Sequence, residues 1–270
     1  TSDALAKRVL HDAVRDACEP RNDDGPTVPV SFWHFDGRCA DRSGRDVTAP
    51  AWPVIRHNYT SRVANAFDQL VAIDASSVDG KLLLLHGPPG TGKTTVLRSL
   101  AAAWRSWCDL EVVIDAEHLF GHASYLMNVL LGERDDDDEG SDDARPKRWR
   151  MLVLEDCDEL LRADAKKRTG QALARLLNVT DGFLGQGLQL LVALTTNEPL
   201  SGLHPAIVRP GRCMAEVHVD RLSRAEAAQW LGSVHEAPAT GATLAELYAI
   251  AGERAPVRAP ELREVSGAYL

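Results

Sequence analysis

Residues 82–94 read LLLLHGPPGTGKT, and residues 95–107 continue TVLRSLAAAWRSW. Leu82 to Leu85 form a short apolar run closed by a glycine turn, which predicts a buried strand over Leu82–His86. Thr94 to Trp107 carries a helical pattern. Between them, Gly87 and Gly92 stand five apart and are followed at once by Lys93 and Thr94. This is the G-x-x-x-x-G-K-T phosphate-binding loop in its strand–loop–helix setting. Small residues let backbone N–H groups turn inward around a polyphosphate. The helix N-terminus adds the positive end of its dipole. Gly87, Pro88, Pro89, Gly90, Thr91, Gly92, Lys93, Thr94 and Thr95 are therefore the candidate nucleotide-binding residues. Lys93 is placed to reach the β- and γ-phosphates, and the Thr94 hydroxyl to bind Mg²⁺.

Outward from this loop the chain alternates between strand and helix. Further strands are predicted at Glu111–Asp115, Met151–Glu155, Leu188–Thr195 and Ala215–Val219, with helices over Ser61–Ile73 and around residues 122–132 and 168–181. Apolar strands alternating with helices predict an α/β fold with a parallel sheet covered on both faces. Ligands on such sheets sit at the carboxyl ends of the strands.

Three more motifs follow the loop. Residues 151–156 read MLVLED, an apolar strand ending in two acids. Glu155 is the candidate Mg²⁺ ligand beside Thr94. Asp156 is the candidate base that orients the attacking water and takes its proton. Residues 191–197, LVALTTN, are a buried strand ending in polar side chains; Asn197 can hydrogen-bond the γ-phosphate or the water. Residues 203–212 read LHPAIVRPGR. Pro205 suits a first helical turn and Pro210 ends the helix, which holds Arg209 and Arg212 at the tip of a short element. A permanently charged guanidinium fork suits phosphate, so both arginines are candidate charge-stabilising fingers for a neighbouring subunit.

The bulk composition sets limits. The 270 residues carry a net charge of −9, with 44% hydrophobic and 26% charged residues. This describes a globular protein and argues against general nucleic-acid binding, which needs a basic surface. No apolar run approaches the ~20 residues needed to cross a bilayer. Five scattered cysteines without a C-x-x-C pair read as reduced thiols in a cytoplasmic protein, with no zinc site. The acidic run Asp135 to Asp143 reads as a solvated loop rather than a metal cluster. The chain starts at Thr1 rather than Met, which points to a processed or excised part of a longer protein.

Taken in order, GPPGTGKT, VLEDCDEL, LTTN and LHPAIVRPGR resemble the AAA family of ring ATPases over about residues 55–220. The resemblance implies a P-loop NTPase fold with a five-stranded parallel sheet and a small helical lid, ATP as the nucleotide with Mg²⁺, and a homo-oligomeric ring acting on a protein partner. By the resemblance Glu155 and Asp156 match the second acidic motif, Asn197 the first sensor, and Arg209 and Arg212 the fingers. Most of the family has Asp-Glu where this chain has Glu-Asp. The order here most resembles the branch of the mitochondrial Rieske-protein translocase. His204 also departs from the usual Asp, and Cys213-Met214 from an aromatic-Asp pair. Tyr59, with Asn58, lies where the family closes over adenine. Phe120 lies near the expected pore loop, and Arg258 is a candidate second sensor.

The expected organisation is an N-terminal segment 1–50 from an upstream domain, a nucleotide-binding domain 51–219, and an abbreviated lid 220–270. Within 1–50, Trp33 and Phe35 read as packing residues. Two rival readings stand beside hydrolysis. One is an ATP-binding switch or scaffold with little turnover. The other is a DNA-associated ATPase, disfavoured by the acidic balance.

Overall fold

The computed structural model describes residues 26–132, 148–161, 176, 188–203 and 213–252. Arg209, Arg212, His204, Arg258, the acidic run and, apart from the buried helical residue Leu176, the predicted helix at 168–181 lie outside the described residues. The described residues begin with strands β1 (Thr27–Phe35) and β2 (Ala40–Thr48), an antiparallel hairpin. Its turn is set by Asp36, whose Oδ1 accepts from the Arg38 and Cys39 backbone N–H groups at 2.7 and 2.8 Å. Short helix α1 (Trp52–Ile55), a 3₁₀ turn (Arg56–Asn58) and α2 (Ser61–Val71) lead to β3 (Leu82–His86). Then come α3 (Lys93–Trp104), β4 (Cys108–Val113), α4 (Ala116–Gly121), α5 (Ala123–Leu131), β5 (Trp149–Leu154), α6 (Asp158–Leu161), β6 (Leu190–Thr196) and β7 (Cys213–His218). Helices α7 (Arg224–Leu231) and α8 (Leu244–Ile250) follow the sheet.

The seven strands among the described residues form one sheet in the order β2-β1-β4-β5-β6-β3-β7. The five strands from β4 to β7 are mutually parallel, as the motif pattern predicts. The hairpin extends them: β1 pairs parallel with β4, and β2 closes the edge antiparallel. Residues 27–48 thus belong to the central sheet. Central β3 is buried along its whole length because helices cover both faces. On one face Leu83, Leu85 and the β1 residues Val28 and Val30 pack with Phe67 of α2 and Leu100 and Trp104 of α3. On the other, Leu82, Leu84, Leu152 and Leu154 pack with Tyr125, Val129 and Leu130 of α5.

A buried charge cluster ties the hairpin to β4 and β5. Glu111 of β4 is 2% exposed. It accepts from Trp33 Nε1 of β1 at 2.8 Å, Arg42 Nη1 of β2 at 3.1 Å, and Arg150 Nε and Nη2 of β5 at 3.0 and 2.6 Å. Trp33 is fully buried, as a packing residue should be. Phe35 is half-buried and stacks on His122 with ring centroids 4.7 Å apart. The Leu119-Phe120-Gly121 stretch is the end of α4, and Phe120 packs against the α5-side core.

Helices α7 and α8 share a small core of Leu222, Ala227, Leu231, Ala237, Ala242 and Leu247. Each starts with a reciprocal capping box, Ser223 with Glu226 and Thr243 with Glu246. Such caps satisfy backbone N–H groups that short helices otherwise leave open. Helix α8 rests on the phosphate loop, where Ala245 N donates to Gly90 O at 2.9 Å.

Candidate nucleotide site

The sheet order places the carboxyl ends of β5, β6 and β3 side by side. The lateral order of the parallel strands reverses here, since β3 leads out past β6 and β5 to β4, whereas β6 leads over β3 to β7. Crevices at such switch points take ligands in open α/β sheets.

The loop after β3 is shaped by its glycines. Gly87 sits at φ 136°, and a Cβ there would lie 2.3 Å from Val219 O. Gly92 caps α3 at φ 89°, and its Cβ would lie 2.9 Å from the Tyr59 hydroxyl. No side chain fits at either position without moving its neighbours. Thr91 Oγ1 donates to Pro88 O at 2.9 Å and braces the turn. Pro89 and Gly90 are exposed at its crest.

Lys93, the first residue of α3, is 7% exposed. Its ammonium donates to Gly87 O at 2.8 Å, Pro88 O at 3.1 Å and Asn197 Oδ1 at 2.8 Å. Burial pulls its pKa below the usual lysine value, opposed by the charges of Asp156 and Asp158. Next along the helix, Thr94 Oγ1 donates to Glu155 Oε1 at 2.5 Å. Thr95 Oγ1 accepts from Arg98 at 3.5 Å. The phosphate loop and the end of β5 therefore meet through side chains.

Asp156 is exposed beside Glu155 at φ 50°, the one non-glycine residue at positive φ among the described residues. Asp is among the few L-residues that tolerate this region. Its N–H donates to Thr195 Oγ1 at 3.0 Å, which anchors the turn to β6. Asp158 opens α6 and grips the end of β6. Its Oδ1 accepts from Thr196 Oγ1 and Asn197 N, both at 2.7 Å, and its Oδ2 from Asn197 Nδ2 at 3.0 Å. Burial raises the Asp158 pKa, but the Asn197 and Thr196 hydrogen bonds and the Lys93 charge outweigh it and hold the carboxyl below its usual value.

Tyr59 is buried against Trp52, and its hydroxyl donates to Gly92 O at 3.0 Å. Burial raises its pKa and keeps it protonated. Neighbouring Asn58 is also buried; its Oδ1 accepts from Trp230 Nε1 at 2.7 Å, and its Nδ2 donates to the Tyr248 hydroxyl at 3.4 Å. The 3₁₀ turn thus bridges the loop and both helices that follow the sheet.

Lys93, Thr94, Glu155, Asp156 and Asn197, picked from separate motifs, come together at three adjacent strand ends. Two groups nearby escaped the sequence reading. Asp158 is one; its signal was a third acid just after the strand. The other is His86, stacked at 4.6 Å and nearly parallel on His218 from the adjacent strand β7. Only the register of β3 with β7 reveals that pair.

The residues fit a magnesium–triphosphate ligand. The three acceptors around the buried Lys93 ammonium are uncharged oxygens, so an anion supplies charge they do not. Thr94 and Glu155 offer the hard oxygens that Mg²⁺ prefers. Among the described residues no group of three His, Cys, Asp or Glu side chains is arranged to hold a metal ion, and no helix is long and apolar enough to cross a membrane.

Comparison with known proteins agrees with this geometry. Residues 83–221 match the family described as "ATPase family associated with various cellular activities (AAA)". Residues 1–72, which include the hairpin and Tyr59, match one described as "Domain of unknown function (DUF5925)". The ATPase family gene 2 protein of Schizosaccharomyces pombe is 31% identical over 140 residues, 51% of this chain and 16% of that protein. The ATP-dependent zinc metalloprotease FtsH 1 of Sorangium cellulosum is 28% identical over 220 residues, 74% of this chain and 32% of that protein. The 26S proteasome regulatory subunit 10B homolog A of Arabidopsis thaliana is 30% identical over 150 residues, 52% of this chain and 34% of that protein. The chain spans between 16% and 34% of the length of these curated relatives.

Proposed function

The chain belongs to the AAA family of ATPases, and from that premise we propose that it hydrolyses ATP with Mg²⁺ in a ring of like subunits and uses the cycle to remodel a protein partner. The observation that carries this reading is the meeting of Lys93 with Asn197 and of Thr94 with Glu155 at adjacent strand ends. Mg²⁺, when bound, supplies the charge that neutralises the phosphate oxygens. Thr94 and Glu155 hold it. Lys93 turns its ammonium from the loop carbonyls to the β- and γ-phosphates. Asn197 positions the attacking water and Asp156 takes its proton. Tyr59 and Asn58 wall the adenine side. Arg209 and Arg212 of a neighbouring subunit stabilise the charge that develops on the transferred phosphoryl group.

The Glu-Asp order supports a place in the branch of the Rieske-protein translocase. Two of the relatives are by name a protease and a proteasome subunit, which supports a polypeptide substrate; the scattered cysteines without a C-x-x-C pair support a cytoplasmic setting.

The test is steady-state phosphate release from ATP, with GTP for comparison. Turnover of ATP supports an enzyme. Tight ATP binding without phosphate release sinks hydrolysis and leaves a nucleotide-dependent switch. Mixing Lys93→Ala chains with Arg209→Ala chains tests the shared site. Each alone should be inactive, and restored turnover in the mixture requires that one subunit complete the other.

A further inference from the structure

We infer that Asp158 is a positioning residue that fixes which end of the Asn197 amide faces the phosphates, so that Asn197 serves the reaction as a hydrogen-bond acceptor. The inference rests on the proposed hydrolysis and refines it.

An asparagine amide is nearly symmetric in shape, and its orientation follows from its partners. Here the partners leave no choice. On one side stands the Asp158 carboxylate, which only accepts, 3.0 Å from Nδ2. On the other stands the Lys93 ammonium, which only donates, 2.8 Å from Oδ1. Turning the amide over would set carbonyl against carboxylate and NH₂ against ammonium. The hydrogen bonds from Thr196 Oγ1 and Asn197 N to Oδ1 of Asp158 keep its second oxygen aimed at Nδ2. Those same bonds and the nearby Lys93 charge favour the ionised carboxylate.

The atom of Asn197 nearest the phosphate-binding lysine is therefore Oδ1. A γ-phosphate offers only acceptors and gives a carbonyl oxygen nothing to bind. The attacking water offers two hydrogens. One is donated to Asn197 Oδ1, which orients the water. The other passes to Asp156 as the water oxygen bonds the γ-phosphorus. The bond from phosphorus to the β–γ bridging oxygen breaks, and its electron pair leaves with ADP. Asp158 touches neither water nor phosphate and acts through Asn197 alone.

The substitution Asp158→Asn separates this role from simple support. Its Oδ1 still accepts from Thr196 and the backbone, but its NH₂ now faces Asn197 and turns that amide over. The donor then points at the site. The expected result is a fall in kcat of ~10–100-fold, the scale of a small misplacement, with KM for ATP and thermal midpoint near wild type. The exchange Asp158→Asn/Asn197→Asp restores the arrangement. The new asparagine donates to one carboxylate oxygen of residue 197, and the other oxygen faces Lys93 as an acceptor. Its kcat should exceed that of Asp158→Asn by about 10-fold, the larger part of the loss. A donor role for Asn197 forbids that rescue, because aspartate at 197 has nothing to donate. Wild-type kcat in Asp158→Asn, or an exchange variant that folds and binds ATP but is no faster, overturns the inference. If Asp158→Asn fails to fold, the exchange variant decides by comparison with Asn197→Ala, which it must exceed. If the wild-type protein itself binds ATP and releases no phosphate, the proposed hydrolysis fails first and this role falls with it.

Discussion

The Thr94 hydroxyl donates to the Glu155 carboxylate at 2.5 Å although 61 residues separate them in the chain. One oxygen sits on the first turn of α3 and the other just past β5, so the sheet order alone brings them together. Divalent magnesium takes one or two such protein oxygens and completes its shell with water and phosphate. Thr94→Ala and Glu155→Gln should each raise the Mg²⁺ concentration for half-maximal phosphate release by about 10-fold or more, the scale of losing one strong polar contact to charge. A magnesium titration checks this, and unchanged half-saturation in both variants removes the pair from the metal site.

Asp156 holds a backbone conformation that asparagine also tolerates. Asp156→Asn should therefore fold normally and bind nucleotide normally, yet take no proton from water. Turnover should drop by ~10²–10⁴-fold, the usual worth of a positioned base. Fluorescent-nucleotide binding and phosphate release on the same sample separate the two effects. Normal turnover would assign the base elsewhere.

Glu111 is a stability residue remote from the phosphate loop. Removing it leaves Arg42 and Arg150, both largely buried, without their shared carboxylate. Breaking such a group from one side costs about 3–5 kcal/mol. Glu111→Ala should lose about that much in denaturant unfolding. A loss below ~1 kcal/mol, the scale of an exposed pair, would mean the hairpin is held by packing alone.

His86 makes stability depend on pH. It is 5% exposed, and neither ring nitrogen has a hydrogen-bond partner. Burial, with the neighbouring His218 and Lys93, lowers its pKa from 6.5 to about 4. Above pH 6.5 the ring is neutral in both states. Between 6.5 and 4 only the unfolded chain takes the proton, so stability falls as pH falls through that window and levels off below it. The loss from this group between pH 7.5 and 4.5 should be about 2–3 kcal/mol. His86→Phe keeps a stacking ring without the proton and should lack that component. Equal acid sensitivity in both proteins would clear His86 of the effect.

The parallel core was legible because each of its strands is an apolar run with a motif at its end. Leu82–His86 matches the structure residue for residue, since a glycine turn marks its boundary. The predicted Glu111–Asp115 strand is in fact Cys108–Val113: pairing with β5 starts at Cys108, and Asp115 instead precedes α4. Strand β2, ADRSGRDVT, left no apolar trace because an edge strand has one open side and carries charge there. The Asp36-Gly37 pair was its available signal, a hairpin dipeptide. The site was legible as residue types but not as contacts. Spacing nominated Asn197, whereas only the fold brings Asp158 and Lys93 to opposite ends of its amide.

The central claim is that Lys93 and its neighbours at the strand ends bind and cleave ATP. ATP binding and phosphate release by purified wild-type chain and Lys93→Ala, on matched samples with magnesium, test it most directly. The expected result is binding and steady release by the wild type, with both lost in Lys93→Ala while its thermal midpoint is kept. Phosphate release that survives Lys93→Ala undiminished would contradict it, because the activity would then arise somewhere other than this loop.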